Sequence, residues 1–226
     1  IMKRLAIVPA RSGSKRLKNK NLKLIGGKPI IDFTLNNLIK SGMFDTIHVS
    51  SDIDLKGRIL QHKKIDFFER PKKLSDDKTI INDVAQWVIK EYEKKKIFFD
   101  IVCIAYATAP LLNHKDFINA CKTFEKTKLN VPLLSVCEFK PSIDEAMKSN
   151  KNFLTPLSNK KFFKDSKEHK KYYYDTASFM FTKKNYFFKK KKKTSYIKFE
   201  IDRYKGIDIN DEKDFNFLKK IFKNKK

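Results

Sequence analysis

The chain has 226 residues, of which 41% are hydrophobic, and its 51 Lys and Arg residues against 26 Asp and Glu residues give it a formal charge of +25. This length suits one large α/β domain that needs no disulfides to fold. The three cysteines lack the paired spacing of a zinc site, and the apolar runs are far shorter than the roughly 20 residues that cross a membrane. Because the N-terminus also lacks a secretory pattern, we expect a cytoplasmic protein with no membrane partner.

The charge alone favours an anionic partner such as a nucleic acid, a nucleotide or a membrane surface. Lysine greatly outnumbers arginine, however, and Phe, Ile and Asn are abundant, a composition that an AT-rich coding sequence produces without selection for binding. We therefore interpret the run Lys189–Lys193 as a solvated turn. Tyr172–Tyr174 lie beside lysines, but no RNA- or DNA-binding motif accompanies them, so we do not expect a nucleic acid as partner.

Hydrophobic runs alternate with amphipathic stretches along the chain, which is typical of successive βαβ units. The predicted strands are Leu5–Pro9, Thr46–Ser50, Asp66–Glu69, Asp100–Tyr106, Val131–Phe139, Ser178–Thr182 and Gly206–Ile209. The predicted helices are Ile30–Lys40, Leu55–Lys64, Ile80–Lys95, His114–Lys126 and Glu212–Phe222. We expect one domain over residues 2–226, an α/β fold with a mainly parallel central sheet and helices on both faces.

The stretch at about 140–172 is polar and lysine-rich and shows neither helix nor strand periodicity, so we interpret it as an insertion. We expect no strand or helix inside it to bury its apolar residues, which include Phe153, Leu154, Phe162 and Phe163.

The most informative segment follows the first strand and reads Pro9-Ala10-Arg11-Ser12-Gly13-Ser14-Lys15-Arg16, continued by Lys18-Asn19-Lys20-Asn21. Its small Ser-Gly-Ser core lets backbone N–H groups turn toward an anion, and Arg11, Lys15 and Lys20 can neutralise a polyphosphate. The segment is neither a Walker sequence nor a dinucleotide-binding fingerprint. By composition alone, a plain surface turn is the more common outcome for such a loop.

The order of these residues, followed by Gly27-Lys28-Pro29-Ile30, resembles the N-terminal signature of the CMP-sialic-acid synthetase family. The resemblance extends to Val49–Asp52, to Glu69–Asp77 with Thr79, and to Ala107–Pro110; it covers essentially the whole chain, most weakly in the insertion. It implies a Rossmann-like nucleotide-diphospho-sugar transferase fold. It also implies a homodimer, in which the insertion serves dimerisation and covers the substrate.

The resemblance further implies which residues bind CTP. Arg11, Lys15 and Lys20 correspond to the cations on the triphosphate, and Asn21 corresponds to the residue beside the cytosine. The full set implied for the nucleotide is Ala10, Arg11, Ser12, Gly13, Ser14, Lys15, Lys20, Asn21, Arg70, Thr79, Tyr106 and Thr108.

Two short motifs resemble the pseudaminate branch of this family. Tyr106–Pro110 reads Tyr-Ala-Thr-Ala-Pro where sialate enzymes usually have Gln-Pro-Thr-Ser-Pro, and Asp175–Phe179 resembles the Asp-Ala-Gly-Gln-Phe of the pseudaminate branch. The implied second substrate is an acidic nine-carbon sugar, pseudaminic acid, contacted by Tyr106, Asp175 and Ser178. Legionaminic acid, sialic acid and 3-deoxy-octulosonate remain alternatives.

Asp208 and Asn210 alternate along a predicted strand and therefore share one face of it. Paired oxygen ligands of this kind suit Mg²⁺ or Mn²⁺. The family has Asp-x-Asp at this position, so Asn210 removes one negative charge, and Asp211 is an alternative second ligand. The residues alone equally allow a plain strand end in which Asp211 caps the final helix.

The implied reaction is an in-line attack by the anomeric hydroxyl of the sugar on the α-phosphorus of CTP, which releases pyrophosphate. The implied catalytic residues are Arg11, Lys15, Lys20 and Asp208. The three cations stabilise negative charge on pyrophosphate, and a metal held by Asp208 polarises the α-phosphate.

Overall fold

A computed structural model describes residues 2–55, 57–76, 78–189 and 195–223. In chain order the strands are β1 (Arg4–Pro9), β2 (Leu24–Ile25), β3 (Lys28–Pro29), β4 (Thr46–Ser51), β5 (Ile65–Glu69), β6 (Ile101–Ala105), β7 (Leu133–Glu138), β8 (Met147–Asn150), β9 (Phe153–Pro156), β10 (Tyr173–Lys183) and β11 (Ile197–Glu200). The helices are α1 (Ile30–Ser41), α2 (Ile81–Lys94), α3 (His114–Thr127), α4 (Asn159–Phe162) and α5 (Glu212–Lys223). Apart from Lys189, the lysine run predicted to be a solvated turn lies outside the described residues.

The central sheet has seven strands in the order β11-β7-β10-β6-β1-β4-β5. The pairs β1–β4, β1–β6, β4–β5 and β7–β11 are parallel, and β10 runs antiparallel to both of its neighbours. The predicted mainly parallel sheet is therefore confirmed. The chain passes from β1 to β4 on one side and later to β6 on the other, so the strand order reverses beside β1, where open α/β sheets bind ligands.

Helices cover both faces of this sheet, as predicted. Alternate side chains of β1 point to opposite faces: Ala6 and Val8 are buried with α1 and α3, whereas Leu5 and Ile7 are buried with α2. Each fully buried Leu or Ile side chain stabilises the fold by roughly 2 kcal/mol. Among the described residues, no helix is long and apolar enough to span a bilayer.

A third apolar cluster joins the N-terminal loop to the C-terminal helix. Leu17 from the loop after β1 and Ile209 from the segment before α5 are almost fully buried, and both pack with Phe215 and Leu218 of α5. Burial of these side chains brings residues near position 16 close to residues near position 210. This packing matters for the site because it brings together two segments that are distant in sequence.

Two predicted elements are wrong. The helix expected over 55–64 is absent from the described part of that range: Gly57 has φ of +75°, and the Leu60 N–H donates to Asp32 Oδ1 at 2.8 Å instead of continuing a helix. The strand expected at 206–209 pairs with no strand in the described part of the chain, because Ile209 is buried against α5, and the sheet ends in β11 instead.

The insertion is more regular than predicted. It contains an antiparallel hairpin, in which Met147 pairs with Pro156 and Asn150 with Phe153, followed by the short helix α4. The expectation that this stretch has no strand or helix of its own is wrong. The hairpin nevertheless leaves Phe153 and Leu154 more than half exposed.

One position in β10 carries backbone strain that a single substitution should relieve. Ala177 has φ of +48°, where the pairing of β10 with β7 changes register. Because a methyl group is disfavoured at positive φ, we expect Ala177→Gly to raise the free energy of unfolding by about 1 kcal/mol in urea titrations. Ala146→Gly is the matched control. Because Ala146 has φ of −68°, this variant should have a lower free energy of unfolding than the wild type. Equal losses in both variants would contradict the assigned strain.

Candidate active site

The loop after β1 is held by a carboxylate at the end of the neighbouring strand. Ser12 donates from its N–H to Asp52 Oδ1 at 2.7 Å and from its hydroxyl to Oδ2 at 2.8 Å. Burial acts to raise the pKa of Asp52, but the hydrogen bonds from Ser12 outweigh it and lower the pKa, so the carboxylate stays ionised. With Leu17 buried further along, the basic loop is fixed at two points.

The side chains of this loop line a cleft of about 460 Å³ at the carboxyl ends of β1 and β6. The lining residues are Pro9, Arg11, Ser14, Lys15, Arg16, Lys20, Asn21, Arg70, Thr79, Ile81, Val84, Tyr106, Ala107, Thr108 and Asn210. Most residues expected at the nucleotide are thus brought together. Ala10, Ser12 and Gly13 do not line it: Ala10 is buried, Ser12 is bound to Asp52 and Gly13 is exposed.

Lys20 connects the basic loop to the segment before α5. Its Nζ donates to the carbonyl oxygen of Ile209 at 2.7 Å. Burial lowers the pKa of Lys20, the nearby cations Arg16 and Arg11 lower it further, and the carboxylate of Asp208 acts in the opposite direction. A half-buried ammonium between cations and a carboxylate is well placed to meet a polyanion.

Asp208 and Asn210 lie side by side, but not on one face of a strand as predicted, because residues 206–210 form no strand. Asn210 Nδ2 donates to Asp208 Oδ2 at 2.8 Å, and Arg16 Nη2 donates to Asn210 Oδ1 at 3.0 Å. Asp211 caps α5, which is the alternative to a role as metal ligand. Its Oδ1 accepts from the N–H groups of Lys213 and Asp214 at 2.8 and 3.0 Å.

The opposite wall of the cleft includes a buried arginine. Arg70 is 5% exposed, and it donates from Nε to Ser50 Oγ at 3.1 Å and from Nη2 to the Ser50 carbonyl at 2.6 Å. Burial lowers its pKa. Thr79, near the start of α2, donates from Oγ1 to Asp76 Oδ1 at 2.7 Å.

Tyr106 lies near enough to two acidic residues, Asp175 and Asp208, for their charges to act on it. Burial raises the pKa of Tyr106 to about 12, and the charges of Asp175 and Asp208 act in the same direction, so the phenol stays protonated. Asp175 is exposed. Ser178 is 1% exposed and supports Tyr106 only through its carbonyl, which accepts the Tyr106 N–H at 3.0 Å. Its hydroxyl therefore does not face the cleft with the other expected sugar contacts.

A model of the cytidylyltransferase family matches residues 5–225 of the chain. The chain belongs to this family. It is 37% identical over 166 residues to pseudaminic acid cytidylyltransferase of Campylobacter jejuni subsp. jejuni serotype O:2, which covers 72% of this chain and 70% of that protein. It is 29% identical over 157 residues to CMP-N,N'-diacetyllegionaminic acid synthase of Legionella pneumophila subsp. pneumophila, covering 69% and 67% of the two chains. The expected membership of the CMP-sialic-acid synthetase family, and hence a nucleotidyltransferase activity, is confirmed.

The fold of this cytidylyltransferase is shared with more distant enzymes. CMP:2-keto-3-deoxy-manno-octonic acid synthetase, solved in complex with CTP, superimposes with a TM-score of 0.71 at 14% identity over 99% of this chain and all of that chain. A 4-diphosphocytidyl-2C-methyl-D-erythritol synthase superimposes with a TM-score of 0.70 at 7% identity, over 98% of this chain and 99% of that chain. The expected α/β nucleotidyltransferase fold is confirmed by these likenesses.

The residues present fit a magnesium ion that is shared with a nucleotide. Among the described residues, no group of three or more His, Cys, Asp or Glu side chains is placed to hold a metal alone. Mg²⁺ commonly takes one or two protein carboxylates and completes its shell with waters and substrate phosphates. Asp208 does not itself line the cleft, but it accepts from the lining residue Asn210 at 2.8 Å and its charge acts on Lys20, so its carboxylate suits that mode of binding.

Five lining residues of the cytidylyltransferase cleft had no predicted role: Pro9, Arg16, Ile81, Val84 and Ala107. Arg16 lies inside the predicted loop, and its contact with Asn210 depends on packing between distant segments. Ile81 and Val84 form an apolar wall on the first turn of α2. Their spacing of three residues is that of an ordinary buried helix face, so the sequence carried no signal that distinguishes them from core residues.

The segment that carries Asp208 depends on a close backbone approach at Gly206. A Cβ atom there would lie 2.8 Å from both Cys137 Sγ and Thr176 Cγ2. We expect Gly206→Ala to lower the free energy of unfolding by about 1–3 kcal/mol in urea titrations and to lower activity, because residues 207–210 must shift. Gly13→Ala, whose methyl would meet nothing closer than 3.8 Å, is the stability control. Wild-type stability in Gly206→Ala would contradict this packing.

Proposed function

We propose that this enzyme transfers the cytidylyl group of CTP to the anomeric hydroxyl of pseudaminic acid, and releases pyrophosphate. The observation that carries the proposal is the cleft itself, in which Arg11, Lys15 and Lys20 converge. The carboxylate of Asp208 is near enough to act on the charge of Lys20. The 37% identity to a pseudaminic acid cytidylyltransferase supports the choice of sugar. The Tyr-Ala-Thr-Ala-Pro sequence at 106–110 supports the same choice, because Tyr106 borders the cleft.

The basic loop binds the triphosphate in this proposal. Arg11, Lys15 and Lys20 neutralise the β- and γ-phosphates. These contacts strengthen as negative charge accumulates on the leaving pyrophosphate, so they lower the barrier and not only the KM. Asn21, Arg70, Thr79 and Thr108 form the part of the cleft that accepts the nucleoside.

In this proposal the sugar binds beside Tyr106, which lines the cleft, and Asp175, whose charge acts on Tyr106. The protonated phenol of Tyr106 donates to a sugar oxygen, while the exposed Asp175 carboxylate accepts from a hydroxyl or amide N–H. This arrangement directs the anomeric hydroxyl toward the α-phosphorus, in line with the pyrophosphate.

Asp208 is the proposed ligand for Mg²⁺ or Mn²⁺. When bound, the ion polarises the α-phosphate and lowers the pKa of the attacking hydroxyl. Asp208 supplies the carboxylate, and its negative charge favours the ammonium form of Lys20 beside the triphosphate.

The proposal is tested by pyrophosphate release from CTP and Mg²⁺ with a panel of acidic sugars. We expect pseudaminic acid to give the highest kcat/KM, followed by legionaminic acid, sialic acid and 3-deoxy-octulosonate. A higher kcat/KM for one of the other three would reassign the sugar. Absence of release with all four would overturn the function. Replacing CTP with UTP is the control for the nucleoside, and it should abolish release.

The insertion is the proposed contact between two copies of the enzyme. Its exposed apolar side chains lie on and beside the hairpin and α4: Phe153 is 76% exposed, Leu154 66%, Leu157 55% and Phe163 78%. Side chains this exposed on both faces of one strand favour burial against a second copy of the same surface.

Sedimentation equilibrium at micromolar concentration tests the dimer. We expect twice the chain mass of 26.7 kDa for the wild type, and a shift toward the monomer for Phe153→Glu combined with Phe163→Glu. Phe217→Glu is the matched control, because Phe217 is 51% exposed on α5, and it should leave the dimer intact. A monomeric wild type would overturn the proposal.

A further inference from the structure

The side chain of Asn210 joins a cation and a carboxylate at the edge of the cleft. Its Oδ1 accepts from Arg16 Nη2 at 3.0 Å, and its Nδ2 donates to Asp208 Oδ2 at 2.8 Å. The neighbours determine this orientation, because a guanidinium only donates and a carboxylate only accepts. The amide oxygen, which is the atom able to bind a cation, is therefore used by Arg16.

The main chain holds Asn210 at this position independently of its side chain. The Asn210 N–H donates to Asp214 Oδ2 at 2.8 Å. The preceding residue, Ile209, is fully buried, and its carbonyl accepts from Lys20 at 2.7 Å. A substitution of the amide group can therefore change the two side-chain contacts while the backbone stays in place.

The surroundings of Asp208 are poor for a divalent cation in the absence of nucleotide. Lys20 is electrostatically coupled to Asp208, and Arg16 is one amide group away. Positive charge at these positions repels a divalent ion, and a single carboxylate offers it few ligands. A triphosphate changes both conditions, because it adds oxygen ligands and neutralises the cations.

We propose that Asn210 is a positioning residue and not a metal ligand: it fixes Arg16 and Asp208 relative to each other, and the divalent cation enters together with CTP. The inference rests on the proposed function for the nucleotide and the metal. A carboxylate at position 210 would face Asp208 at hydrogen-bonding distance, and the two like charges would need a cation between them. The amide of Asn210 donates a hydrogen bond to the Asp208 carboxylate, so no cation is needed between them.

Binding of Mn²⁺ in the absence of nucleotide, followed by electron paramagnetic resonance, tests the metal part. We expect the wild type to bind no more tightly than Asp208→Ala, whereas Asn210→Asp should bind at least about tenfold more tightly, because a second carboxylate is added. The double variant carrying Asn210→Asp and Asp208→Ala should bind Mn²⁺ with the affinity of the wild type. The measurement needs neither sugar nor turnover, so failure of the proposed reaction would not affect it.

A double-mutant cycle tests the positioning part. We expect Arg16→Ala and Asn210→Ala each to lower kcat/KM for CTP by about tenfold, with wild-type melting temperatures, and the double variant to lose little more than either one. Asn210→Asp should recover most activity, since its carboxylate still accepts from Arg16. Additive losses would overturn the link to Arg16. Asn210 would instead be a metal ligand if the wild type bound Mn²⁺ as tightly as Asn210→Asp does and if Asn210→Ala lost that binding.

Discussion

Asp208→Ala should lower kcat/KM for cytidylyl transfer by about 10³-fold or more, which corresponds to roughly 4 kcal/mol of lost transition-state stabilisation. The reason is that Asp208 is the proposed metal ligand, and its carboxylate accepts at 2.8 Å from Asn210, which lines the cationic cleft. The measurement is steady-state pyrophosphate release at saturating Mg²⁺. The melting temperature should change little, because Asp208 is not part of the buried core.

Asp211→Ala is the matched control for Asp208→Ala. Asp211 is also an aspartate of the same segment, but its carboxylate caps α5. Its replacement should cost about 1 kcal/mol of stability and leave kcat/KM nearly unchanged. Inactivity of Asp211→Ala together with near-normal kinetics of Asp208→Ala would reverse the two assignments.

Arg11→Ala and Lys20→Ala should each lower kcat/KM for CTP by about 10²-fold, because each removes a charge-assisted contact to the triphosphate worth up to about 3 kcal/mol. Lys20→Ala also removes the hydrogen bond to the Ile209 carbonyl, so its melting temperature must be measured alongside its kinetics. The loss should fall mainly on kcat, since the contacts strengthen as pyrophosphate departs.

Lys18→Ala is the control for these two variants, since Lys18 is an exposed lysine of the same loop that does not line the cleft. It removes the same charge from the chain and should keep wild-type kinetics. Losses in Lys18→Ala as large as those in Lys20→Ala would mean that overall charge, and not the cleft, attracts CTP.

Strong local signals predicted most of the regular elements. Hydrophobic periodicity predicted the bounds of α2 and α5 to within one or two residues. In α2, for example, Val84, Val88 and Tyr92 lie on one buried face. The errors arose where tertiary packing decided the outcome. Ile207 and Ile209 alternate like strand residues but pack with α5, while β11 was missed because charged residues occupy its exposed positions.

The site was predictable where one continuous segment carries the chemistry. From the loop, Arg11, Ser14, Lys15, Lys20 and Asn21 line the cleft, whereas Ala10, Ser12 and Gly13 do not; Asp208 and Asn210 are adjacent. Arg16 was not predictable as a partner of Asn210, because their contact depends on the joint burial of Leu17 and Ile209 in one cluster. Burial of this kind links residues almost 200 positions apart and leaves no local pattern.

The most direct test of the central claim is ³¹P NMR of a reaction containing CTP, Mg²⁺ and pseudaminic acid labelled with ¹⁸O at the anomeric hydroxyl. Attack by that hydroxyl on the α-phosphorus predicts a CMP-sugar phosphorus resonance with the isotope shift of one ¹⁸O, together with unlabelled pyrophosphate. A CMP-sugar without the label would mean that the anomeric carbon, and not the α-phosphorus, is attacked. The absence of any CMP-sugar would contradict the proposed function itself.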